Sequence, residues 1–185
     1  RSEKFRSHQI FGNGVNSIDR FFNWEVDELL ILDISNHELF DTRRDDHKIE
    51  SYKSMERLMA NLVIRCQLPL SIGGNINSFD DAKRRFSWGA DKIVINSLFY
   101  TNPDEIAKIS KYYGSQSIIF SLDYRVIDGV ITPFYNGGSK VSNLSIKRLL
   151  ERCKKVGVGE IMLHNIDCDG VGNGFDIETA RKIVP

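Results

Sequence analysis

Residues 159–178 read GEIMLHNIDCDGVGNGFDIE and join a short apolar run to a loop rich in Asp and Gly. The run is brief and partly β-branched, which is typical of a buried strand rather than a helix. A calcium loop is the first alternative, because residues 167–178 carry acids at positions one and three, Gly at six and Glu at twelve. Val171 occupies position five, where an EF-hand needs an oxygen ligand. The stretch therefore favours a strand with an Asp/Gly-rich exit loop.

The same strand pattern recurs along the chain. Segments beginning at residues 26, 90 and 158 each place a small residue and charged residues before an apolar run that ends in a polar side chain. Two further apolar runs lie between these segments. The five predicted strands contain, in chain order, LLIL, LPLSIGG, IVI, SIIFSLD and IMLHNI.

The segments between the predicted strands have helical patterns. Ser78 stands three residues before Asp81, as in a capping box, and Pro103 occupies a first-turn position. Continuously apolar strands that alternate with helices indicate parallel βα units. The predicted helices fall within 49–66, 78–89, 102–114, 142–157 and 176–184.

A parallel sheet of this kind is either open and doubly wound or part of a (βα)8 TIM barrel, and the repeated strand starts favour the barrel. Five strands do not close a barrel, so we expect an α/β fold that is an incomplete barrel, with residues 1–185 in one partial domain. Residues 126–140, VIDGVITPFYNGGSK, predict a small hairpin inserted after the fifth-unit strand.

Composition excludes several classes of protein. Lys plus Arg and Asp plus Glu both number 25, so no net charge favours nucleic acid or an anionic membrane. No apolar run approaches the roughly 20 residues that span a bilayer. The three cysteines have no metal-ligand spacing, which predicts reduced thiols, a cytoplasmic location and no metal or cofactor. Cys168 adjoins the exit loop, and we expect it to take no part in chemistry.

Four segments carry a resemblance to a known family: VDELLILDIS, LPLSIGGNINSFDDAKRRFSWGADKIVINS, YGSQSIIFSLD and GEIMLHNIDCDGVGNGFD. In order and spacing they resemble the cyclase subunit of imidazole glycerol phosphate synthase, across nearly the whole chain. The resemblance implies a (βα)8 barrel of which this chain supplies strands two to six with their helices. It also implies that DCDG, at 167–170, forms the loop after strand six.

The resemblance further implies an activity and its partners. Enzymes of this family receive ammonia from a glutaminase subunit in a heterodimer and join it to a phosphorylated small-molecule substrate. The products are imidazole glycerol phosphate and aminoimidazole carboxamide ribonucleotide, in histidine biosynthesis. Two aspartates act as general acid and base, which suits a reaction that moves a proton at each step. Asp123 in SLDYR matches the second aspartate, and its alternative role is to cap a helix or anchor a loop.

Other residues match the family's substrate site. Asp33 and Asp169, followed by Gly170, stand at strand exits near the substrate, and helix capping is their alternative role. The residues that match one phosphate half-site are Gly73, Gly74, Asn96 and Ser97. Asn75 replaces the family's usual third glycine, which adds a side chain where the backbone should approach the phosphate.

Charged residues at the strand starts match the family's ammonia entrance. Glu28, Lys92 and Glu160 occupy equivalent repeat positions, and Asp91 matches a residue that contacts the glutaminase. Solvated charges are common at strand starts, which is the alternative interpretation. In a closed barrel, however, equivalent positions face one another, so the alternating signs favour a channel rim.

The histidines raise a second possible function. His37 and His47 lie in a charged segment after strand two, and His164 is a lone histidine at a strand end, where a structural role is common. With Asn75, these features resemble family paralogues that convey ammonia for the amidation of a bacterial surface sugar. The sequence therefore predicts the histidine-pathway synthase subunit, with this ammonia-conduit paralogue as the alternative.

Overall fold

A computed structural model of the chain describes residues 2–5, 7–8, 14–34, 55–66 and 68–184. These residues form short strands and amphipathic helices that alternate over most of the chain. The strands are β1 (Ser2–Glu3), β2 (Ser7–His8), β3 (Leu29–Leu32), β4 (Leu70–Gly73), β5 (Lys92–Ile95), β6 (Ile118–Ile127), β7 (Val130–Tyr135), β8 (Lys140–Val141) and β9 (Glu160–Asn165). The helices are α1 (Gly14–Asn23), α2 (Met55–Arg65), α3 (Phe79–Ser87), α4 (Ser97–Thr101), α5 (Pro103–Tyr113), α6 (Ile146–Val156) and α7 (Ile177–Ile183).

The predicted α/β class is confirmed. Each of the five predicted strands is present, as β3, β4, β5, β6 and β9, and helices follow them in the expected order. The predicted hairpin is also present, because β6 turns at Asp128 and Gly129 into the antiparallel β7. The chain groups into two compact units, residues 11–94 and residues 1–10 with 95–185, which are described separately.

In the unit of residues 11–94, three parallel strands carry the core. Leu29 to Leu32 of β3 pair with residues 70–73 of β4, and β4 pairs with β5 from the Ser71 and Lys92 register position onward. Helices α1 and α2 pack together in this unit. All four residues of β4 are buried, as expected of a strand covered by helices. The buried cluster comprises Ile18, Leu29, Met59, Leu62, Leu70 and Ile72.

In the other unit, β6 is the central strand. It pairs in parallel with β9 and antiparallel with β7, and β7 continues to β8. The first seven residues of β6 are buried, and its last two, which extend into the hairpin, are exposed. The ring of Phe99 on α4 stacks on that of Phe120 on β6 at a centroid distance of 3.9 Å. Asp123 thus lies where a buried strand begins to emerge toward solvent.

Local sequence signals set the helix starts, as predicted at Ser78 and Pro103 and, without a prediction, at Ser145 and Asp176. The hydroxyls of Ser78 and Ser145 accept hydrogen bonds from backbone amides in the first turns of α3 and α6. Pro103 is the first residue of α5. Asp176 caps α7 by accepting from the Thr179 amide. None of the helices in the described part of the chain is both long and apolar enough to cross a bilayer.

Helices α1 and α4 and strands β1 and β2 were not predicted. Helix α1 contains Ile18, which is buried, and Phe21 one turn later, so a helical period was visible there in the sequence. Helix α4 has only five residues and follows β5 directly, which leaves too short a pattern to recognise. The two-residue strands β1 and β2 pair antiparallel about a turn at Lys4 and Phe5, which both have positive φ.

Candidate active site

Asp123 is a buried carboxylate on the central strand of its unit. In the sheet register it lies opposite His164 of β9 on one side and Phe134 of β7 on the other. The residue is only 5% exposed. Asp123 lies inside β6 and not at the start of a helix. Its Oδ1 accepts a 2.6 Å hydrogen bond from the Ser121 hydroxyl two residues earlier on the same strand. This position differs from the helix-cap alternative considered for it.

The surroundings of Asp123 raise its pKa toward neutral pH. Burial, the largest effect, raises the pKa of Asp123 from its ordinary 3.8 to about 6. The hydrogen bond from Ser121 and the positive charge available on His164 oppose this rise, and the charge of Asp169 adds to it. A carboxyl group whose pKa lies near the working pH both gives and takes protons readily, which is what a general acid or base requires.

Asp169 reaches the same place from the loop after β9. His164 lies between the two acids, with Nδ1 3.6 Å from Asp123 Oδ1 and Nε2 3.6 Å from Asp169 Oδ1. The backbone carbonyl of Asp169 accepts a 3.1 Å hydrogen bond from the Lys4 amide, and Gly170 follows with φ +68°. The cap of α7 is Asp176, so Asp169 is not a helix cap. The structure therefore brings Asp123 and Asp169 together around a histidine that the sequence indicated as structural or as part of the resemblance to the paralogues.

A polar network holds the base of this loop. Asp176 Oδ2 accepts hydrogen bonds from Asn165 Nδ2 at 2.7 Å and from the Tyr124 hydroxyl at 3.2 Å. Asn165 Oδ1 accepts in turn from the Asp167 amide at 3.0 Å. The loop thus begins and ends on side chains of β6 and β9. Sequence reasoning did not find these residues, since their partners are set by the pairing of the two strands.

In the other unit, Gly73 and Gly74 lie against the end of β3. A Cβ on Gly73 would stand 2.5 Å from Leu32 Cδ2, and one on Gly74 would stand 1.9 Å from the Asp33 carbonyl oxygen. The Asp33 amide donates to the Gly73 carbonyl at 2.9 Å, which draws the two strand exits together. Both glycines are therefore required by packing, whatever ligand they contact. Their role in holding a phosphate stays a prediction.

Asn75 keeps the backbone conformation expected of a glycine. Its φ is +53°, in the left-handed region that Asn adopts more readily than most residues. Its side-chain Nδ2 donates to Asp33 Oδ2 at 3.3 Å, so the side chain reaches toward the end of β3. The buried Arg85 supports the same loop by donating to the Gly74 carbonyl at 3.0 Å and stacking on Trp88. Asn75 thus holds the positive φ that a glycine adopts most readily.

Asn96 and Ser97 lie in the unit that contains Asp123. The Asn96 side-chain amide donates to the Ser121 carbonyl at 3.0 Å and to the Phe134 carbonyl at 3.5 Å, so it links the start of α4 to β6 and β7. The Ser97 hydroxyl accepts from the Asn136 amide at 3.2 Å. Asn96 therefore positions the backbone next to Asp123. The predicted phosphate contacts of these two residues remain a prediction.

The charged residues at the strand starts divide between the units. Lys92 Nζ lies 3.0 Å from Glu28 Oε2, and the Ser71 hydroxyl donates to the other oxygen of Glu28. Asp91 Oδ2 accepts from the Leu70 amide at 2.8 Å, so part of this carboxylate anchors β4. Glu160 is the exposed first residue of β9, in the other unit. Two members of the predicted rim, Glu28 and Lys92, therefore form an ion pair.

Two further predictions concern the histidines after strand two and metal binding. His37 and His47 lie outside the described residues. Among the residues that are described, no group of three or more His, Cys, Asp or Glu side chains is arranged to hold a metal ion.

Comparison with known proteins gives the family. The chain matches the family described as histidine biosynthesis protein over residues 1–185. It is 35% identical over 181 residues to a Leptospira interrogans protein named putative imidazole glycerol phosphate synthase subunit HisF, covering 97% of this chain and 67% of that protein. A Thermotoga sp. protein named imidazole glycerol phosphate synthase subunit HisF is 31% identical, with 86% of this chain and 59% of that protein covered. A Vibrio vulnificus protein named putative subunit hisF2 is 29% identical over 99% of this chain.

The extent of these matches agrees with the fold. The chain spans about two thirds of the length of the first relatives it matches. Its five parallel strands with helices after them fit an incomplete (βα)8 barrel. The family model matches every residue of the chain, and the relative that is 35% identical is covered over 67% of its length. The strand order and the strand-exit acids described above agree with these matches. The chain therefore belongs to the histidine biosynthesis protein family.

Proposed function

We propose that this protein is the synthase subunit of an imidazole glycerol phosphate synthase, which uses ammonia from a glutaminase subunit to build the imidazole ring in histidine biosynthesis. The observation that carries the proposal is Asp123, a 5% exposed carboxylate whose pKa is raised to about 6 at the exit of a parallel strand. The names of the relatives support the same reaction. In class, the protein is a cyclase that breaks and forms carbon–nitrogen bonds and works as a heterodimer.

The chemistry suits the site. Addition of ammonia, loss of a leaving group and ring closure each need a proton to move at a fixed point, and Asp123 supplies one of the groups that move it. Asp169, which faces the same histidine, is proposed to contact the substrate from the loop after β9. Gly73, Gly74, Asn96 and Ser97 are proposed to hold a substrate phosphate through backbone amides and short polar side chains.

Growth of a histidine auxotroph provides the test of this function. We expect the complete gene to restore growth of a strain that lacks its own synthase subunit but retains the glutaminase. A gene encoding Asp123→Asn should fail to restore growth at the same protein level. If the unaltered, well-expressed gene fails as well, the histidine reaction is not the function.

An ammonia conduit for the amidation of a bacterial surface sugar is the second candidate. The observation that favours it is His164 beside the proposed catalytic acid, a feature of the resemblance to the paralogues. Asn75 belongs to the same resemblance, and it holds a positive φ of 53° at the position of the family's usual third glycine. In that case the gene should restore sugar amidation, and not growth without histidine.

Delivery of ammonia is tested at Lys92. We propose that the pair of Lys92 with Glu28, which joins two partly buried side chains, borders the ammonia entrance. Lys92→Ala in the complete heterodimer should lower glutamine-driven turnover roughly tenfold, the scale of a coupling free energy between two sites. It should leave turnover with external ammonium within about twofold, because ammonium reaches the active site from solvent. Both rates are measured under otherwise equal conditions.

Lys108→Ala is the matched control, since Lys108 pairs with Glu105 on the surface of α5. It removes a lysine and an ion pair far along the chain from any strand start, and both rates should stay unchanged. If Lys92→Ala lowers both rates equally, or neither, Lys92 is a structural residue and the entrance lies elsewhere.

A further inference from the structure

The imidazole of His164 has a carboxylate on each of its two nitrogens. Nδ1 lies 3.6 Å from Asp123 Oδ1, and Nε2 lies 3.6 Å from Asp169 Oδ1. These distances are within the range of an ion pair and slightly beyond a hydrogen bond. The two acids come from different elements, one from the central strand and one from the loop after β9. A single ring therefore spans the gap between the proposed catalytic acid and the proposed substrate-binding acid.

Backbone pairing and an aromatic contact set the orientation of this ring. His164 lies directly opposite Asp123 in the parallel register of β6 and β9. The Phe5 ring meets the imidazole edge-on, with centroids 4.7 Å apart and planes at 68°. These two constraints turn the nitrogens toward the carboxylates. The arrangement follows from strand pairing rather than from a flexible surface contact.

Asp123 itself is addressed on one oxygen. The Ser121 hydroxyl and His164 Nδ1 both face Oδ1. Among the described residues no donor lies on Oδ2, which leaves that oxygen for a reacting group. Tyr100 on α4 also senses the charge of Asp123, and burial together with this negative charge raises the pKa of the phenol, so it stays neutral.

We propose that His164 is a positioning residue that couples the protonation of Asp123 to the charge on Asp169. A ring with a proton on each nitrogen directs one N–H toward each carboxylate, so both acids interact with the same donor group. A change at Asp169, such as the arrival of a substrate hydroxyl or phosphate, then reaches Asp123 through the ring as well as through space. This inference rests on the proposed function for its consequence in turnover, but the coupling is a property of the unliganded protein.

The coupling is measured by NMR titration of the Asp123 carboxyl carbon in the complete protein with 13C-labelled aspartate, assigned with Asp123→Asn. His164→Gln should raise the pKa of Asp123, because it removes the group whose positive charge lowers it. Asp169→Asn should lower the pKa of Asp123, because it removes a repelling charge. Both shifts follow from charge alone, so coupling through the ring is identified by comparing the Asp169→Asn shift with and without His164.

The double variant gives the decisive comparison. With His164 present, loss of Asp169 also removes one of the two acids that hold the ring, and the weaker contact of the ring with Asp123 partly cancels the fall in the pKa of Asp123. In the His164→Gln background this cancellation is absent, so Asp169→Asn should produce the larger fall. Equal shifts in the two backgrounds, or no shift from His164→Gln, would overturn the proposal. Asp128→Asn, at the exposed hairpin turn where Asn suits the positive φ of 49°, is the control and should leave the titration unchanged.

A rate profile separates this inference from the proposed function. In a heterodimer that turns over, the pH at which ammonia-dependent turnover is half-maximal should move to higher pH in His164→Gln, with the NMR titration. A merely structural histidine would lower turnover at every pH and leave the profile in place, which would also overturn the proposal. If the unaltered protein has no histidine-pathway turnover, the proposed function fails, and the NMR comparison still decides the coupling.

Discussion

Asp123→Asn should lower ammonia-dependent turnover of the complete protein at least about a hundredfold, the effect expected on losing a positioned acid or base. The amide has the size of the carboxyl group and keeps an oxygen for the Ser121 hydroxyl, which donates to Asp123 at 2.6 Å. It does not exchange a proton near pH 6, whereas the buried carboxyl group has a pKa raised to about 6. Turnover is measured with ammonium supplied directly, so that the glutaminase does not contribute. A variant that keeps most of its turnover removes Asp123 from catalysis.

The same variant should gain stability at neutral pH, which excludes unfolding as the cause of its loss of activity. Because the pKa of Asp123 in the fold is raised from 3.8 to about 6, the folded protein binds a proton that the unfolded chain has released. This contribution to stability is fully present below pH 3.8 and is lost as the pH rises through about 6. The loss amounts to up to about 3 kcal/mol above that range.

Denaturant unfolding at pH 4 and pH 8 measures this effect. Asp123→Asn should raise the free energy of unfolding relative to the unaltered protein at pH 8, and much less at pH 4, because Asn does not ionise. Asp128→Asn, which changes an exposed carboxylate on the hairpin, should have no such dependence on pH. A loss of stability at both pH values would show that the Asp123 side chain is needed for folding rather than for chemistry.

Gly74→Ala should destabilise the protein by at least about 3 kcal/mol, in the range reserved for severe backbone conflicts. The added Cβ would stand 1.9 Å from the Asp33 carbonyl oxygen and 2.7 Å from the Asp33 nitrogen. These are backbone atoms at the end of β3, so relief requires β3 and β4 to separate at their exits. The free energy of unfolding of the complete protein is measured by denaturant titration.

Gly129→Ala is the matched control for this substitution. Gly129 has a positive φ of 78°, as Gly74 has one of 91°, but nothing lies within 4 Å of a Cβ built there. Its cost should be only the roughly 1–2 kcal/mol that a left-handed conformation imposes on a residue with a Cβ. Similar losses in the two variants would show that backbone strain, and not the contact with Asp33, explains Gly74.

Local signals were sufficient to predict most of the elements. Ser78 and Pro103 mark helix starts through interactions within a single turn, and Asp128 with Gly129 provides the positive φ values of a tight hairpin turn. These features depend on residues a few positions apart. The short helix α4 escaped because its signal is shorter than the period that identifies a helix.

The candidate site was only partly predictable for a different physical reason. The sequence with its family resemblance identified Asp123 and Asp169 as acids at strand exits, and the structure brings both to His164. It did not identify His164 as their link, or Asn165 and Tyr124 as partners of Asp176. Asn165 and Tyr124 stand 11 and 52 positions before Asp176 in the chain, and Tyr124 lies beside Asn165 because of the register of β6 against β9.

By itself, then, the sequence determined the alternation of strands and helices, their caps, the hairpin and the residue types at the strand exits, because each depends on short-range backbone preferences and apolar periodicity. Tertiary structure alone decided that Gly74 lies against the Asp33 carbonyl, that Asp123 is buried enough to raise its pKa to about 6, and that His164 faces two acids. Burial and charge interactions depend on distances in space, and strand pairing sets those distances between residues that are remote in the chain.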